Sequence, residues 1–404
     1  MKRILCVIIV AACLLLAACT EASVSVGESL EAAPTSSSSA ASSSSTAART
    51  SSQAAVTSTA TVSSTAAVSV PVTSTSAKPP KTTAPIKLPT VDNPSQTGYL
   101  SPLTGLPIRA ELVGKRPVAV MVNNIKASMP QVGISNADIV YECLAEGGIT
   151  RLMCLFLDYE DLGTIGSVRS ARDYYLDLAQ IHDAVFIHAG GSDLAYSQIK
   201  SRKIDALDGV RTTVSGVFWR DPDRLATMRR EHTMVTNGEK IAYGIAKKKY
   251  RTENYEGFTP SYRFYSAPTA IDGKSASYIK IPNSSSYVAE LSYNSELGLY
   301  LKNQFGKPHI DASTNTQLGF TNVIVLYTHQ QKVDSYGRIA VDITGTGKGY
   351  YLYGGKAVSI TWTRSDRDGG ISLFNADGTP LYINCGKSYI SIASESIYSK
   401  TVIK

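Results

Sequence analysis

From about residue 98 the chain alternates short apolar runs with amphipathic ones. RPVAVMVNN, residues 116 to 124, is apolar without a helical period and ends on two amides, Asn123 and Asn124, which predicts a strand. ADIVYECLAEGGITRLMCLFLD, residues 137 to 158, predicts two strands joined by a turn at Gly147 and Gly148. A short strand at 165 to 168, a helix at about 171 to 181, a strand in DAVFIHAGG and a helix from near Asp193 follow. RDPDRLATMRREHTMVTN, residues 220 to 237, predicts a helix and turn that gather Arg220, Arg224, Arg229, Arg230 and His232. Strands alternating with helices predict an α/β domain. After about residue 260 short runs rich in Tyr, Ile and Val are punctuated by DGK, NSELG, GTGKG, GGK, NADG and NCG, which predicts a β-rich second domain.

Strand alternation can be followed through the hairpin. A four-residue loop at Gly147 and Gly148 sets Glu146 opposite Arg151 and Cys143 opposite Cys154, with Glu142, Leu144 and Glu146 on the face of Arg151, Met153 and Leu155. In an exported protein the two cysteines could then oxidise, although two buried thiols are the commoner outcome for such a pair. Glu142 and Glu146 lie four residues apart on one strand, so roughly 13 Å separates their Cα atoms. That is too far for a paired-carboxylate mechanism. Glu146 is better explained as the cross-strand partner of Arg151, with either glutamate a candidate for a lone general acid.

The N-terminus supplies a compartment. Lys2 and Arg3, an apolar core from Ile4 to Leu16 and small residues up to Cys19 read as a secretory signal, with residues 1 to 18 removed. The end of it, Leu16, Ala17, Ala18, Cys19, resembles the bacterial lipobox, which implies lipidation of Cys19 and loss of Cys6 and Cys13 with the signal. Residues 19 to 97 are dominated by Ser, Thr, Ala and Val and end in KPPKTTAPIKLPT, a composition with too little to bury, which predicts a disordered linker. As a flexible coil of roughly 70 residues it would reach on the order of 50 Å from the bilayer. The remaining chain predicts an α/β domain at 98 to 255 and a β-rich domain at 256 to 404. With 40 Lys and Arg against 33 Asp and Glu, the net charge of +7 suits an anionic envelope surface and falls short of a nucleic-acid binder.

The stretch GSVRSARDYYLDLA followed by IHAGGSDLA holds the candidate site. In α/β sheets ligands bind beyond the carboxyl ends of the strands, where helices begin. Arg169 and Arg172 stand where a helix is expected to start, an end that favours anions over cations. Ser170 is placed to cap that helix, Gly190 and Gly191 allow close approach to backbone, and Ser192 is placed to cap the next helix. An anion or sugar would then meet Asn123, Asn124, Arg151, Arg169, Ser170, Arg172, Asp173, His188, Gly190, Gly191, Ser192 and His232. The competing account pairs the arginines internally with Asp173, Asp177, Glu142 or Glu146. His188, Glu142 and Glu146 are the catalytic candidates.

Most other chemistry is excluded. HExxH, metal-spaced Cys and His clusters and GxSxG are all missing, so neither metal nor cofactor is expected. GTGKG at 345 to 349 lacks the first glycine of a phosphate loop and is expected to be a hairpin turn. Tyr350, Tyr351, Tyr353 and Trp362 could make a sugar platform, but β-propensity explains them equally.

The blocks SPLTGLPI, RPVAVMVNN, MPQVGISNADIVYECLAEGGITRL, GSVRSARDYYLDLA, IHAGGSDLA and EHTM, then GLYLK, GKPHID, NVIV, GTGKGYY, ITWTRSD and NADG, resemble the YerB-like lipoprotein family of Gram-positive bacteria. The resemblance runs from about residue 100 to near 395. It implies a lipid anchor and two domains, and no activity. Expected partners are therefore the membrane, through the anchor, at the outer face of the cytoplasmic membrane, with an anionic envelope polymer or envelope protein at the cleft. The order TRLMCLFLD, SVRSARD, AGGSDLAY is also similar to the LytR-CpsA-Psr phosphotransferases, whose Arg-Thr-Asp or Arg-Ser-Asp motif is replaced here by Arg151, Leu152, Met153. That likeness supplies the alternative, an enzyme of phosphoryl or glycosyl transfer.

Overall fold

A computed structural model describes residues 98–404. The expected signal, Cys19 and linker lie outside the described residues. No described helix is long and apolar enough to cross a membrane.

The N-terminal part contains β1 (Val118–Asn123), β2 (Ile139–Leu144), β3 (Thr150–Phe156), α1 (Asp173–Gln180), β4 (Val185–His188), α2 (Asp193–Ser201), β5 (Ala206–Asp208), α3 (Pro222–Thr227) and α4 (Gly238–Lys248). The strand-rich part that follows contains β6 (Tyr278–Pro282), β7 (Val288–Asn294), β8 (Leu299–Gln304), β9 (Asn322–Thr328), β10 (Gly345–Tyr353), β11 (Lys356–Arg364) and β12 (Ser388–Ser394). This is the α/β then β-rich order expected. The two parts share one sheet of 11 strands, ten of them in the order Lys274–Ser275, β11, β10, β9, β12, β2, β3, β1, β4, β5, with Ser372–Asn375 also paired to β11. The late strand β12 lies parallel to both β2 and β9 and joins the parts.

The sheet is covered on both faces, which is why β1 and β3 are buried at every position and read as unbroken apolar runs. On one face Tyr174, Tyr175, Leu176 and Leu178 of α1 pack with Met121, Tyr141, Met153 and Ile390. On the other, Ile241 and Ile245 of α4 and the second sheet, through Ile279, Ile281 and Leu291, pack with Val140, Leu152 and Val325. Helix α4 was not anticipated. Its apolar stripe is thinned by Gly244, where a Cβ would come within 2.7 Å of Leu207 Cδ1.

The hairpin register differs from the expected one. Cys143 pairs with Arg151, and Val140 with Cys154. The connection is longer than four residues: Glu146–Gly148 form a 3-10 turn, with φ of +68° at Gly147 and +72° at Gly148. Every side chain of one strand is therefore turned over relative to the expectation. Cys143 faces the α1 layer and Cys154 the opposite layer, so both are free thiols and a bond between them is excluded. GTGKG is likewise not a turn but the start of β10, with the turn at Gly354 and Gly355. Gly347 is small because a Cβ would lie 2.3 Å from Trp362 Nε1. Tyr351 and Trp362 are core residues rather than a platform.

The same register places Glu142 at the seam between the parts. Its Oε2 lies 3.2 Å from Lys302 Nζ and accepts from Tyr389 OH at 2.9 Å. Its Oε1 accepts from Thr150 Oγ1 at 2.8 Å and Asn124 Nδ2 at 3.3 Å. Lys302 Nζ donates to Gln304 Oε1 at 2.5 Å and stands 3.4 Å from His309 Nδ1, while His309 Nε2 meets Gln131 Oε1 at 2.8 Å. Glu142, Lys302, His309 and Gln131 have no solvent exposure. Burial pushes the Lys302 pKa down and Glu142 pulls it back up, while burial and Lys302 push His309 far down and keep it neutral. Replacing Lys302→Met alone should destabilise the protein by roughly 3–5 kcal/mol, because Glu142 is left buried and unpaired. In urea unfolding, Glu142→Gln added to that variant should recover much of the loss; a double variant that loses the sum of both single effects would contradict the pairing.

Candidate functional site

Strands β1, β4 and β5 are parallel neighbours, so their carboxyl ends, at Asn123, His188 and Asp208, lie side by side at one edge of the sheet. The segment carrying RSAR is wedged between two of those ends. Arg169 N–H donates to Met121 O at 2.8 Å, Ala189 N–H to Arg169 O at 3.0 Å, and Ala171 N–H to Gly190 O at 2.8 Å. These bonds hold residues 169 to 171 extended, and α1 begins only at Asp173, with Arg172 as an N-cap that makes no side-chain cap. Ser170 therefore does not cap the helix. Ser192 does cap α2, accepting from Ala195 N–H at 3.2 Å.

The arginines sort into two groups. Glu146 Oε1 lies 2.5 Å from Arg151 and also bonds Arg172, whose Nε donates to Oε2 at 2.8 Å. Arg151 adds a bond to Ser170 O at 3.2 Å. Burial alone would raise the Glu146 pKa, but the hydrogen bond from Arg172 and the charges of both arginines outweigh it and hold the carboxyl at about 2. Arg151 and Arg172 are thus struts, the internal pairing weighed above, and not free for a ligand.

Arg169 belongs to the other group. It borders a cleft of about 480 Å³ with Ser170, Gly190, Gly191, Arg211, Arg220 and Glu231. Its guanidinium donates to Glu231 O at 2.8 Å. Burial, countered by Glu231 and Glu146 and reinforced by Arg172, lowers the Arg169 pKa. Burial, then the charges of Arg230 and Arg169, lowers that of Arg220. The guanidinium of Arg211 lies 3.3 Å over the ring of Tyr196, whose hydroxyl donates to Asp208 Oδ2 at 2.8 Å. Asp208 Oδ1 accepts the backbone N–H of Gly190 at 2.9 Å and of Val210 at 2.8 Å, so one carboxylate fixes two walls.

The remaining candidates are dispersed. His188 is buried behind Gly190, its Nδ1 2.8 Å from Gly190 O and 3.9 Å from Asp208, and burial lowers its pKa despite that carboxylate. No hydrogen bond among the described residues links it to Glu142, Glu146 or Asp173. His232 is buried against Asn123, at 3.1 Å, beside Glu231. Asn124 and Glu142 belong to the seam, and Asp173 sits in the first turn of α1. Arg224 turns inward to Pro130 O at 2.7 Å. Tyr196, Asp208 and Arg211 were missed; the available signal was LDGVR, an acidic residue that ends the third parallel strand and a glycine directly after it.

The N-terminal domain of DUF3048, a protein family of unknown function, matches residues 103–251, and its C-terminal domain matches residues 279–390. "Putative lipoprotein YerB" of Bacillus subtilis (strain 168) is 29% identical over 295 residues, 73% of this chain and 86% of that protein. The crystal structure of the YerB protein from Bacillus subtilis superposes with a TM-score of 0.67 at 28% identity, covering 76% of this chain and 99% of that one.

Because Arg151 is 3% exposed, Glu146→Gln should cost on the order of 3 kcal/mol in urea unfolding at neutral pH. The carboxyl is held below its unfolded value, so its stabilisation is present above that value and is lost as pH falls towards about 2. Between pH 5 and pH 3 the wild type should therefore lose part of its advantage over the variant, with the rest lost towards pH 2. A constant gap across that range would show that the charge of Glu146 is not what the arginines need.

Proposed function

This chain belongs to the DUF3048 family, and we propose that it is an exported, lipid-anchored protein of the cell envelope that holds an anionic ligand in the cleft bounded by Arg169, Arg211 and Arg220. The single observation that carries the reading is a charge imbalance: three guanidinium groups border one cleft that contains one carboxylate, Glu231. Arg169 and Arg220 press on each other electrostatically, and a bound anion would relieve that repulsion. Gly190 and Gly191 bring backbone to the same wall, where a phosphate or carboxylate oxygen could approach. The ligand class is a lipid phosphate, an acidic glycan or a protein carboxylate.

The anchor is supported by Lys2, Arg3, the apolar run, and Leu16 to Cys19, together with the printed name of the Bacillus subtilis relative. The outer face of the cytoplasmic membrane follows from such a signal, with the linker setting the reach. Binding is favoured over group transfer because His188 Nδ1 is committed to Gly190 O, while Glu142 and Glu146 are committed to the seam and to the arginine struts.

Thermal unfolding with inorganic phosphate, pyrophosphate and a short polyprenyl phosphate tests the reading. A ligand at 100 times its dissociation constant should stabilise by about 2.7 kcal/mol. The shift should vanish in Arg169→Ala and Arg220→Ala, with both variants folded, and should shrink as salt rises. No shift with any of the three anions, or a shift that both variants keep, would refute the cleft as an anion site.

A further inference from the structure

The strand-rich part carries a second concavity, of about 670 Å³, whose chemistry differs from that of the arginine cleft. It lies at the end of the central sheet where β10 begins and β11 finishes. Cross-strand pairing puts Thr346 opposite Thr363 and Lys348 opposite Thr361. These positions alternate with Gly347 and Trp362, so the four polar side chains share one face of the hairpin. Thr346, Lys348 and Thr361 are exposed and Thr363 is half-buried. None of the four side chains has a hydrogen-bond partner among the described residues, although Lys348 Nζ stands 5.7 Å from the centroid of the Tyr398 ring, so the three threonine hydroxyls are free to meet a ligand.

Two walls make this patch a pocket. One is the 3-10 segment Glu395–Lys400, which contributes Glu395 and Tyr398. The other contributes His329 and Asp342, and the walls are tied where His329 Nδ1 meets Glu395 Oε1 at 2.8 Å. Tyr398 is held in place by stacking on Tyr350, with ring planes 4° apart and centroids 5.6 Å apart. The volume falls within the range of small-ligand sites.

We infer that this pocket binds a neutral carbohydrate chain. Hydroxyl-rich ligands need partners that both donate and accept, and threonine hydroxyls do both. Glu395 and Asp342 add acceptors, and Lys348 adds a donor. Two carboxylates balance Lys348 and His329, so the pocket has no excess of positive charge to attract an anion. Four polar side chains on one face exclude a purely apolar ligand, since each would be buried without a partner. Tyr398, packed against Tyr350 and Tyr327 with Lys348 Nζ over its ring, braces the wall and holds that donor in place. The inference stands independently of the anion cleft, which shares no lining residue with this pocket.

The test is isothermal titration of the full chain with triacetylchitotriose and with maltotriose. Saturable binding of at least one trisaccharide is expected in the heat of titration. Glu395→Gln and Thr363→Val should each weaken that binding by roughly tenfold, the loss of about one hydrogen bond to a charged or neutral partner, while the thermal midpoint stays near wild type. Failure of both trisaccharides to bind, or binding that both variants retain in full, would overturn the inference. Binding of pyrophosphate at this pocket in place of a sugar, seen as binding heat that is lost in Lys348→Ala, would overturn it equally.

Discussion

The buried pair of Glu142 and Lys302 is the constraint on which the arrangement turns. A carboxylate on β2 and an ammonium on β8, neither with any solvent exposure, must find each other for either half to be tolerable in the interior. Their meeting fixes the second sheet against the first. Tyr389 of β12 donates to the same carboxylate, so the strand that joins the two halves is registered by the same group. Apolar packing around it is more forgiving, because a Leu or Val contact survives small shifts. A desolvated charge does not.

That register reaches the cleft. Once β2 and β3 pair with Cys143 opposite Arg151, Glu146 is left in the turn beyond the sheet, beside Arg151 and within reach of Arg172. Two of the guanidiniums near the strand ends are thereby immobilised on one shared carboxylate. Arg151 in turn holds Ser170 O, and Arg169 is held by backbone bonds to the ends of β1 and β4. The pair of struts, locked on Glu146, positions Arg169, which no carboxylate holds. Asp208 does the corresponding work on the far wall, through Gly190, Val210 and Tyr196.

The parts of this arrangement that were legible in the sequence are those set by local pattern. β1, β3 and β11 announce themselves as apolar or alternating runs, and Ser192 stands at the cap where α2 begins. The neighbourhood of Arg169, Ser170, Gly190 and Gly191 was also legible, because ligands collect at the carboxyl ends of parallel strands. What failed depended on a single residue of loop length. The turn after β2 is longer than two glycines suggest, and that difference reversed the faces of Glu142, Cys143 and Cys154. The pairing of β12 with β2 spans most of the chain and leaves no local trace, and neither does the approach of Lys302 to Glu142. Arg211 was missed because its support, a tyrosine from α2 and an aspartate from β5, comes together only in three dimensions.

The division of the arginines is the central claim, and side-chain NMR of protein labelled with 15N-arginine reads it directly. Titration with pyrophosphate should move the Nε–Hε signals of Arg169 and Arg220 in a saturable way. Those of Arg151 and Arg172, locked on Glu146, should stay in place. Movement of the Arg151 and Arg172 signals with release from Glu146, or no movement at Arg169 and Arg220, would contradict the account.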